Sequence, residues 1–257
     1  MDWNESPAQK LILPDLAGKT AVVTGTSHGI GKAVAKALLE NGSRVFGLAR
    51  SAGDLKQDGF MHCPCDLGDA AAIDRVFRTI EKEVSSLDFV VNVAGTDPKY
   101  SIDTITVGDW DRLVNLNLRG YYFVIKNALP LLRLGTGKSI VNVSSINYRL
   151  GVPGRAPYSA TKAGIIGLTT GLSRELGREN IRINTISPGW TFTERQVQEY
   201  FSGEDETKHL EYLEHQQSIK LKITPEDIAN HILFYLSAVS RASTAHNCVV
   251  DGGWILE

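Results

Sequence analysis

The chain has 257 residues, 42% hydrophobic and 22% charged, an ordinary balance that supports one large core. Its formal net charge of −2 gives no reason to expect nucleic acid or an anionic membrane as a partner. No apolar run approaches the roughly 18 residues of a membrane span. No cationic stretch followed by a long apolar one opens the chain, so no secretory signal is expected and the expected location is the cytoplasm.

Residues 1–17 read as an extended arm, and 18–257 as a single α/β domain. Thr20 to Thr24 is a short apolar run, the pattern of a strand buried on both faces. Gly25-Thr26-Ser27-His28-Gly29-Ile30-Gly31 follows, and Ile30, Ala33, Val34, Ala37 and Leu38 then trace a helical stripe. Strand, glycine-rich turn and helix form the opening of a dinucleotide-binding unit, in which the glycines let the backbone approach a pyrophosphate at the helix N-terminus. The spacing is not G-x-G-x-x-G, so a plain tight turn stays open for this stretch taken alone.

Arg44 to Ala49 reads as the second strand. Many NAD-binding folds end this strand on an acid that holds the ribose 2′-hydroxyl. Here Ala49 and Arg50 stand at that point, and an Arg suits a 2′-phosphate, although a solvated surface Arg looks the same in sequence. His28, when protonated, adds a second partial charge. Phe60–Cys65 is the third expected strand and Ala70–Val84 a helix with Ile73, Val76, Phe77 and Ile80 on one face. Phe89–Asn92 is the fourth strand, followed by small residues that let a flat ring pack closely. Val107–Leu134 reads as a helix in two parts with Asn117 near the middle.

Ser139–Val143 is the fifth strand, and a long helix begins near Ala156. Tyr158 and Lys162, four apart, share one face of it. An ammonium about 4 Å from a phenol, at an effective dielectric of about 20, contributes about 4 kcal/mol. That would bring a tyrosine from about 10 toward about 7, where it is a usable general acid or base. Ser145, at the strand's end, can hydrogen-bond the oxygen being protonated or deprotonated. Alone, a Tyr-x-x-x-Lys pair more often marks a solvated helix face.

Arg182–Ser187 is the sixth strand and Asn247–Val250 the last. Thr224-Pro225-Glu226-Asp227 opens a helix with a Thr cap, a Pro in the first turn and an acid three residues on. The alternation argues a parallel sheet with helices on both faces. Residues 190–223 break the rhythm: charged, without a strand, and placed after a strand's C-terminal end where ligands of open α/β sheets bind. They read as a substrate-covering lid. His209 and His215 within it read as exposed helix residues, because no third ligand lies at metal spacing. Cys63, Cys65 and Cys248 also lack such partners, so no metal site is expected and they read as small buried hydrophobes.

These pieces form a pattern. Thr24-Gly25-x-x-x-Gly29-x-Gly31, Asp66-Leu67, Asn92-Val93-Ala94-Gly95, Asn117, Ser145, Tyr158-x-x-x-Lys162 and Pro188-Gly189 follow in the order of the short-chain dehydrogenase/reductase family. The chain resembles that family from about Leu16 onward. The resemblance implies a Rossmann-like, doubly wound, seven-stranded parallel sheet, NAD(P)(H) as cofactor, and a homotetramer. It implies Tyr158 as the acid/base, Lys162 lowering its pKa and binding the nicotinamide ribose, Ser145 on the substrate oxygen, and Asn117 holding a water in a proton relay. It implies a cofactor set of Gly25, Ser27, His28, Gly29, Ile30, Gly31, Arg50, Asp66, Leu67, Asn92, Ala94, Gly95, Tyr158, Lys162, Pro188, Gly189, Thr191 and Thr193, with Asp66 on the adenine. The implied substrate set is Ser145, Asn147, Tyr158, Trp190 and Gln196. Two departures stand out. Val93 replaces the family's usual second Asn, and His28 replaces the Arg or Lys common in NADP-preferring members.

A finer resemblance lies in Pro188-Gly189-Trp190-x-x-Thr193-Glu194-Arg195-Gln196, in Asp97, and in Asp251-Gly252-Gly253-Trp254, which are similar to bacterial sugar dehydrogenases that oxidise aldoses at C1. The expected function is an alcohol–carbonyl oxidoreductase favouring NADP(H) over NAD(H), acting on a sugar, polyol or similar small hydroxy compound. A 3-oxoacyl thioester reductase is the second enzyme reading, with Lys126, Arg133 and Lys138 as a thin basic patch. A cofactor-sensing protein without turnover is the third; such proteins usually lose the Tyr or the Lys, and both are present.

Overall fold

Seven short apolar runs pair into one parallel sheet in the computed structural model of the chain, which describes residues 3, 6–203 and 205–256. The strands are β1 (Thr20–Thr24), β2 (Arg44–Ala49), β3 (Phe60–Pro64), β4 (Phe89–Asn92), β5 (Ser139–Val143), β6 (Arg182–Pro188) and β7 (Asn247–Val250), in the order β3-β2-β1-β4-β5-β6-β7. The order reverses between β1 and β4, where a doubly wound sheet opens its ligand crevice. The register sets Val22 beside Phe46 on one side and Val90 on the other. The central strands are buried along their length and largely apolar because both of their faces are covered, and their buried polar side chains, such as Asn92 and Asn142, bond to one another.

The helices are α1 (Gly29–Glu40), α2 (Ala70–Glu83), α3 (Val107–Val114), α4 (Gly120–Leu134), α5 (Ala156–Gly177), α6 (Glu194–Tyr200), α7 (Glu206–Gln216) and α8 (Pro225–Leu236). One core lies under α2, α4 and the end of α5, around Phe46, Phe77 and Ile125. The other lies under α1 and α8, around Val34, Leu38, Phe89 and Ile232. Thr224 and Asp227 close a reciprocal capping box on α8, as the sequence signature requires.

The helical stretch expected over 107–134 is divided by a π-turn, Asn115–Arg119, with Asn117 inside it. Such single-turn insertions recur at functional sites. Asp88, at the base of β4, accepts from the backbone N–H of Thr20, Thr136 and Gly137 at 2.8–2.9 Å and so ties the starts of three strands together. Residues 1, 2, 4 and 5 of the expected arm, residue 204 of the expected lid and residue 257 lie outside the described residues. From residue 9 the arm runs along α1 and α8. Leu13 N–H donates to Asn41 Oδ1 at 2.7 Å, Asn230 Nδ2 donates to Gln9 O at 2.8 Å, and Leu16 is fully buried.

Residues 190–223 carry α6 and α7 and, among the described residues, no strand. His209 is not an exposed helix residue: it packs beside Trp190 at 5.9 Å and Tyr200 at 5.5 Å, because the segment builds its own aromatic core. His215 is exposed. Cys63 and Cys65 are buried, and burial pushes both thiols up to about 11, whereas Cys248 is only partly buried.

Candidate active site

The glycine-rich turn between β1 and α1 is shaped by close approach. Gly25 has φ +76°, and a Cβ there would sit 3.0 Å from Ala94 Cα; at Gly31 a Cβ would sit 2.2 Å from Gly25 O. Side chains are excluded, so backbone amides line the turn, and the N-terminus of α1 faces it. An anionic group already takes that position: Gly29 N–H donates to Glu194 Oε2 at 3.1 Å. Thr24 Oγ1 accepts from Val93 N and Ala94 N at 2.9 and 3.1 Å and clamps the β4 turn against the cradle. This floor fits a dinucleotide pyrophosphate.

Along the rest of the cofactor edge, Ala49 is buried and offers no carboxylate, while Arg50 is exposed and makes no hydrogen bond or ion pair among the described residues. Ser27 Oγ and His28 Nδ1 lie 2.9 Å apart on the turn, and Ile30 is partly buried at the start of α1. Asp66 is exposed; its Oδ1 accepts from Gly68 N at 2.9 Å, with Leu67 buried beside it. Asn92 is fully buried and its Nδ2 donates to Asn142 Oδ1 at 3.0 Å. A cofactor contact by Asn92 therefore runs through its backbone. Gly95 lies between Asn117 and Lys162. At the end of β6, Pro188 is buried, Gly189 presses on Asp251, and the Thr191 hydroxyl donates to Gly189 O. Thr193 caps α6 by accepting from Gln196 N.

Beside this cradle, the end of β5 and the start of α5 bring Ser145, Tyr158 and Lys162 together. Ser144 Oγ donates to Lys162 O at 2.8 Å, which fixes the helix to the strand end. Lys162 is buried, and its Nζ donates to Val143 O at 2.9 Å, an oxygen that also accepts from Tyr121 OH at 3.2 Å. Its Nζ lies 5.5 Å from the centre of the Tyr158 ring. Ser145 Oγ accepts from Asn147 N and from Asn147 Nδ2, each at 3.3 Å.

The expectation that Lys162 lowers the Tyr158 pKa is corrected in this state. Burial, and then the Asp97 carboxylate, push the phenol up to about 12, against the Ser145 hydrogen bond and the charges of Arg155 and Arg195. Burial likewise pushes the Lys162 ammonium down to about 8, against the pull of Asp97. Desolvation outweighs the Tyr–Lys attraction because both groups lie on the inner face of α5.

Asn117 is fully buried in the π-turn. Its Oδ1 accepts from Thr96 N at 2.9 Å, and its Nδ2 donates to Thr96 O at 2.8 Å and Thr161 Oγ1 at 3.4 Å. The side chain is thus committed to the Gly95-Thr96 turn. Trp190 and Gln196 also satisfy each other: Nε1 donates to Oε1 at 2.7 Å, and the indole packs on Phe201 at 4.8 Å.

Local sequence reading missed a charged cluster at the site's mouth. Asp97 follows the β4 turn, Arg155 precedes α5, and Arg195 lies on α6. Asp97 pairs with Arg155 at 3.0 Å and accepts a hydrogen bond from Arg195, which also faces Glu199 at 3.8 Å. Asp97 stood out in the sequence, but nothing local names its partners.

A glycine cradle at the switch point of a parallel sheet, beside a Ser–Tyr–Lys cluster, defines an oxidoreductase that acts on CH–OH groups with a nicotinamide cofactor. A family model described as "Enoyl-(Acyl carrier protein) reductase" matches residues 25–255. The chain belongs to the short-chain dehydrogenase/reductase family. It is similar to a probable galactose dehydrogenase of Rhizobium meliloti, 32% identical over 93% of this chain and 96% of that one. It is equally similar to a D-xylose 1-dehydrogenase of Caulobacter vibrioides, 32% identical over 95% and 98% of the two chains. Among solved structures, ligand-free aldohexose dehydrogenase of Thermoplasma acidophilum superposes with a TM-score of 0.87 at 28% identity, over 94% of this chain and 95% of that one.

Proposed function

We propose that the protein interconverts an alcohol and a carbonyl on a sugar, polyol or similar small hydroxy compound, with NADP(H) favoured over NAD(H). The observation that carries this reading is the Ser145–Tyr158–Lys162 cluster beside the glycine cradle, under a segment whose Arg195 reaches Asp97 at the site's mouth. The sugar dehydrogenases among its relatives point to the same substrate class, while others, up to 34% identical, are named 3-oxoacyl-(acyl-carrier-protein) reductases. When bound, the nicotinamide gives or takes the hydride. Tyr158 holds or moves the proton at its hydroxyl oxygen, and Ser145 Oγ orients the substrate oxygen. Lys162 would hold the nicotinamide ribose, and Asn117 would support a proton relay.

Residues 190–223 act as the lid, with Trp190 and Gln196 setting its shape. Ala49 and Arg50 support the NADP preference. The exposed small residues Ala160, Ala163, Gly167 and Gly171 on α5 support close packing against another copy, consistent with a homotetramer. Three free thiols support a cytoplasmic location. The thioester-reductase reading loses ground because Arg133 of its basic patch is spent on Glu179, at 2.6 and 2.9 Å. The test is turnover on a panel of aldoses, polyols and 3-oxoacyl thioesters with both cofactors. Turnover confined to thioesters would overturn the reading.

A further inference from the structure

Four polar atoms at the candidate site are buried without a hydrogen-bond partner among the described residues: Thr26 Oγ1 and Asn92 Oδ1 at the cofactor cradle, and Asn147 Oδ1 and Arg155 Nη1 beside the reacting hydroxyls. Buried polar atoms left unpaired are costly and call for an explanation. Asn147 flanks Ser145, to which its own Nδ2 donates. Arg155 flanks Tyr158, with its guanidinium carbon 6.0 Å from the ring centre. One is an acceptor, the other a donor, and each adjoins one of the two hydroxyls that hold the reacting oxygen.

Arg155 is held rather than loose. Its side chain is only 11% exposed, and it pairs with Asp97 Oδ2 at 3.0 Å. That contact is an ion pair without hydrogen-bond alignment, so Nη1–H points elsewhere. Arg195 takes the other Asp97 oxygen from α6. With Glu199 beside Arg195, the four side chains sum to zero charge. An anionic substrate group on Arg155 would meet the Asp97 carboxylate close by; a neutral hydroxyl would not.

We propose that Arg155 is a specificity-determining residue: Nη1–H donates to one hydroxyl oxygen of a neutral polyhydroxylated substrate, and Asn147 Oδ1 accepts from another. This rests on the alcohol–carbonyl reading above and narrows it to uncharged substrates with a hydroxyl at a fixed position relative to the reacting carbon. Asp97 is the positioning residue that aims the guanidinium.

The test measures kcat/KM of the full-length enzyme with cofactor on an aldose, its set of mono-deoxy derivatives, and the matching uronate. In the parent, deleting the hydroxyl read by Arg155 lowers kcat/KM by about 10- to 150-fold, the worth of a charged hydrogen bond. In Arg155→Met the ratio of kcat/KM between the aldose and that one deoxy derivative falls toward one, whatever loss the two share through Tyr158, while the ratios for the other deoxy derivatives hold and cofactor affinity by fluorescence titration stays within about twofold. Arg155→Lys, which keeps the ion pair, retains part of the discrimination and guards against a variant that fails to fold. Three outcomes overturn the proposal: an unchanged deoxy discrimination in both variants, an equal loss on every substrate, or a parent preference for the uronate that vanishes in Arg155→Met. A parent that turns over thioesters and no aldose overturns the proposed function itself, and this inference with it.

Discussion

Lys162→Met should make the protein more stable at neutral pH while removing most of its activity. The Lys162 ammonium is 3% exposed, and its pKa falls from 10.5 in a free chain to about 8 in the fold. At about 1.4 kcal/mol per pH unit, carrying that charge into the folded state costs about 3 kcal/mol. A lysine whose folded pKa lies below its unfolded value lowers stability fully below about pH 8. The penalty is relieved between about pH 8 and 10.5 and is absent above that. Methionine fills similar volume without charge. The Val143 carbonyl that Lys162 engages keeps its bond from Tyr121, so the substitution orphans no acceptor. A net gain of about 2–3 kcal/mol at pH 7 follows, or roughly 5–10 °C in Tm for a domain of this size. Denaturant melts of parent and variant, both without cofactor, should differ most at pH 7 and converge as the pH approaches 10. Cofactor titration and turnover at pH 7 should both fall. A variant less stable than the parent at pH 7, or a stability difference that does not change with pH, would refute the reasoning that the fold pays to bury this cation.

The other predictions are simpler. Tyr158→Phe keeps the ring and removes the proton, so cofactor binding should survive while kcat drops by about 10²–10⁴-fold; near-full turnover would remove Tyr158 from the chemistry. NADP should exceed NAD by roughly tenfold in kcat/KM, the lower part of the range for a charged hydrogen bond at a wet pocket edge. Arg50→Ala should erase most of that ratio and Ala49→Asp should invert it, both read from parallel rates with the two cofactors. Asp88→Asn turns one acceptor oxygen into a donor facing backbone N–H groups, so it should cost about 1–3 kcal/mol at pH 7. Although burial opposes it, the amides of Thr20, Gly137 and Thr136 hold this carboxyl below the usual carboxylate range. Its contribution is present above the unfolded value of about 3.9 and is lost as the pH falls through the folded one, so parent and variant melts should converge in acid.

The strand positions, the glycine turn, the α8 cap and the four-residue spacing of Tyr158 and Lys162 were legible in the sequence. Each is a local matter: periodicity sets which residues are apolar, a Cβ cannot fit at Gly31, and a helix aligns i with i+4. The break in the long helix at Asn117 was legible as a division but not as a π-turn, because the turn is held by Thr96 and Thr161 from other elements. The sign of the Tyr158 shift was misjudged from sequence for a related reason. The Lys162 charge is visible four residues away, but the desolvation that outweighs it depends on what the rest of the chain packs over α5. The Arg155–Asp97–Arg195 cluster was least legible of all. Arg195 reaches Asp97 across 98 residues of chain, and no local pattern encodes which charges meet when the ends of separate strands converge at one edge of a sheet. Local sequence thus determined the scaffold and the reaction class. The charge environment around the site was decided only by tertiary packing, because burial and long-range pairing belong to the whole fold.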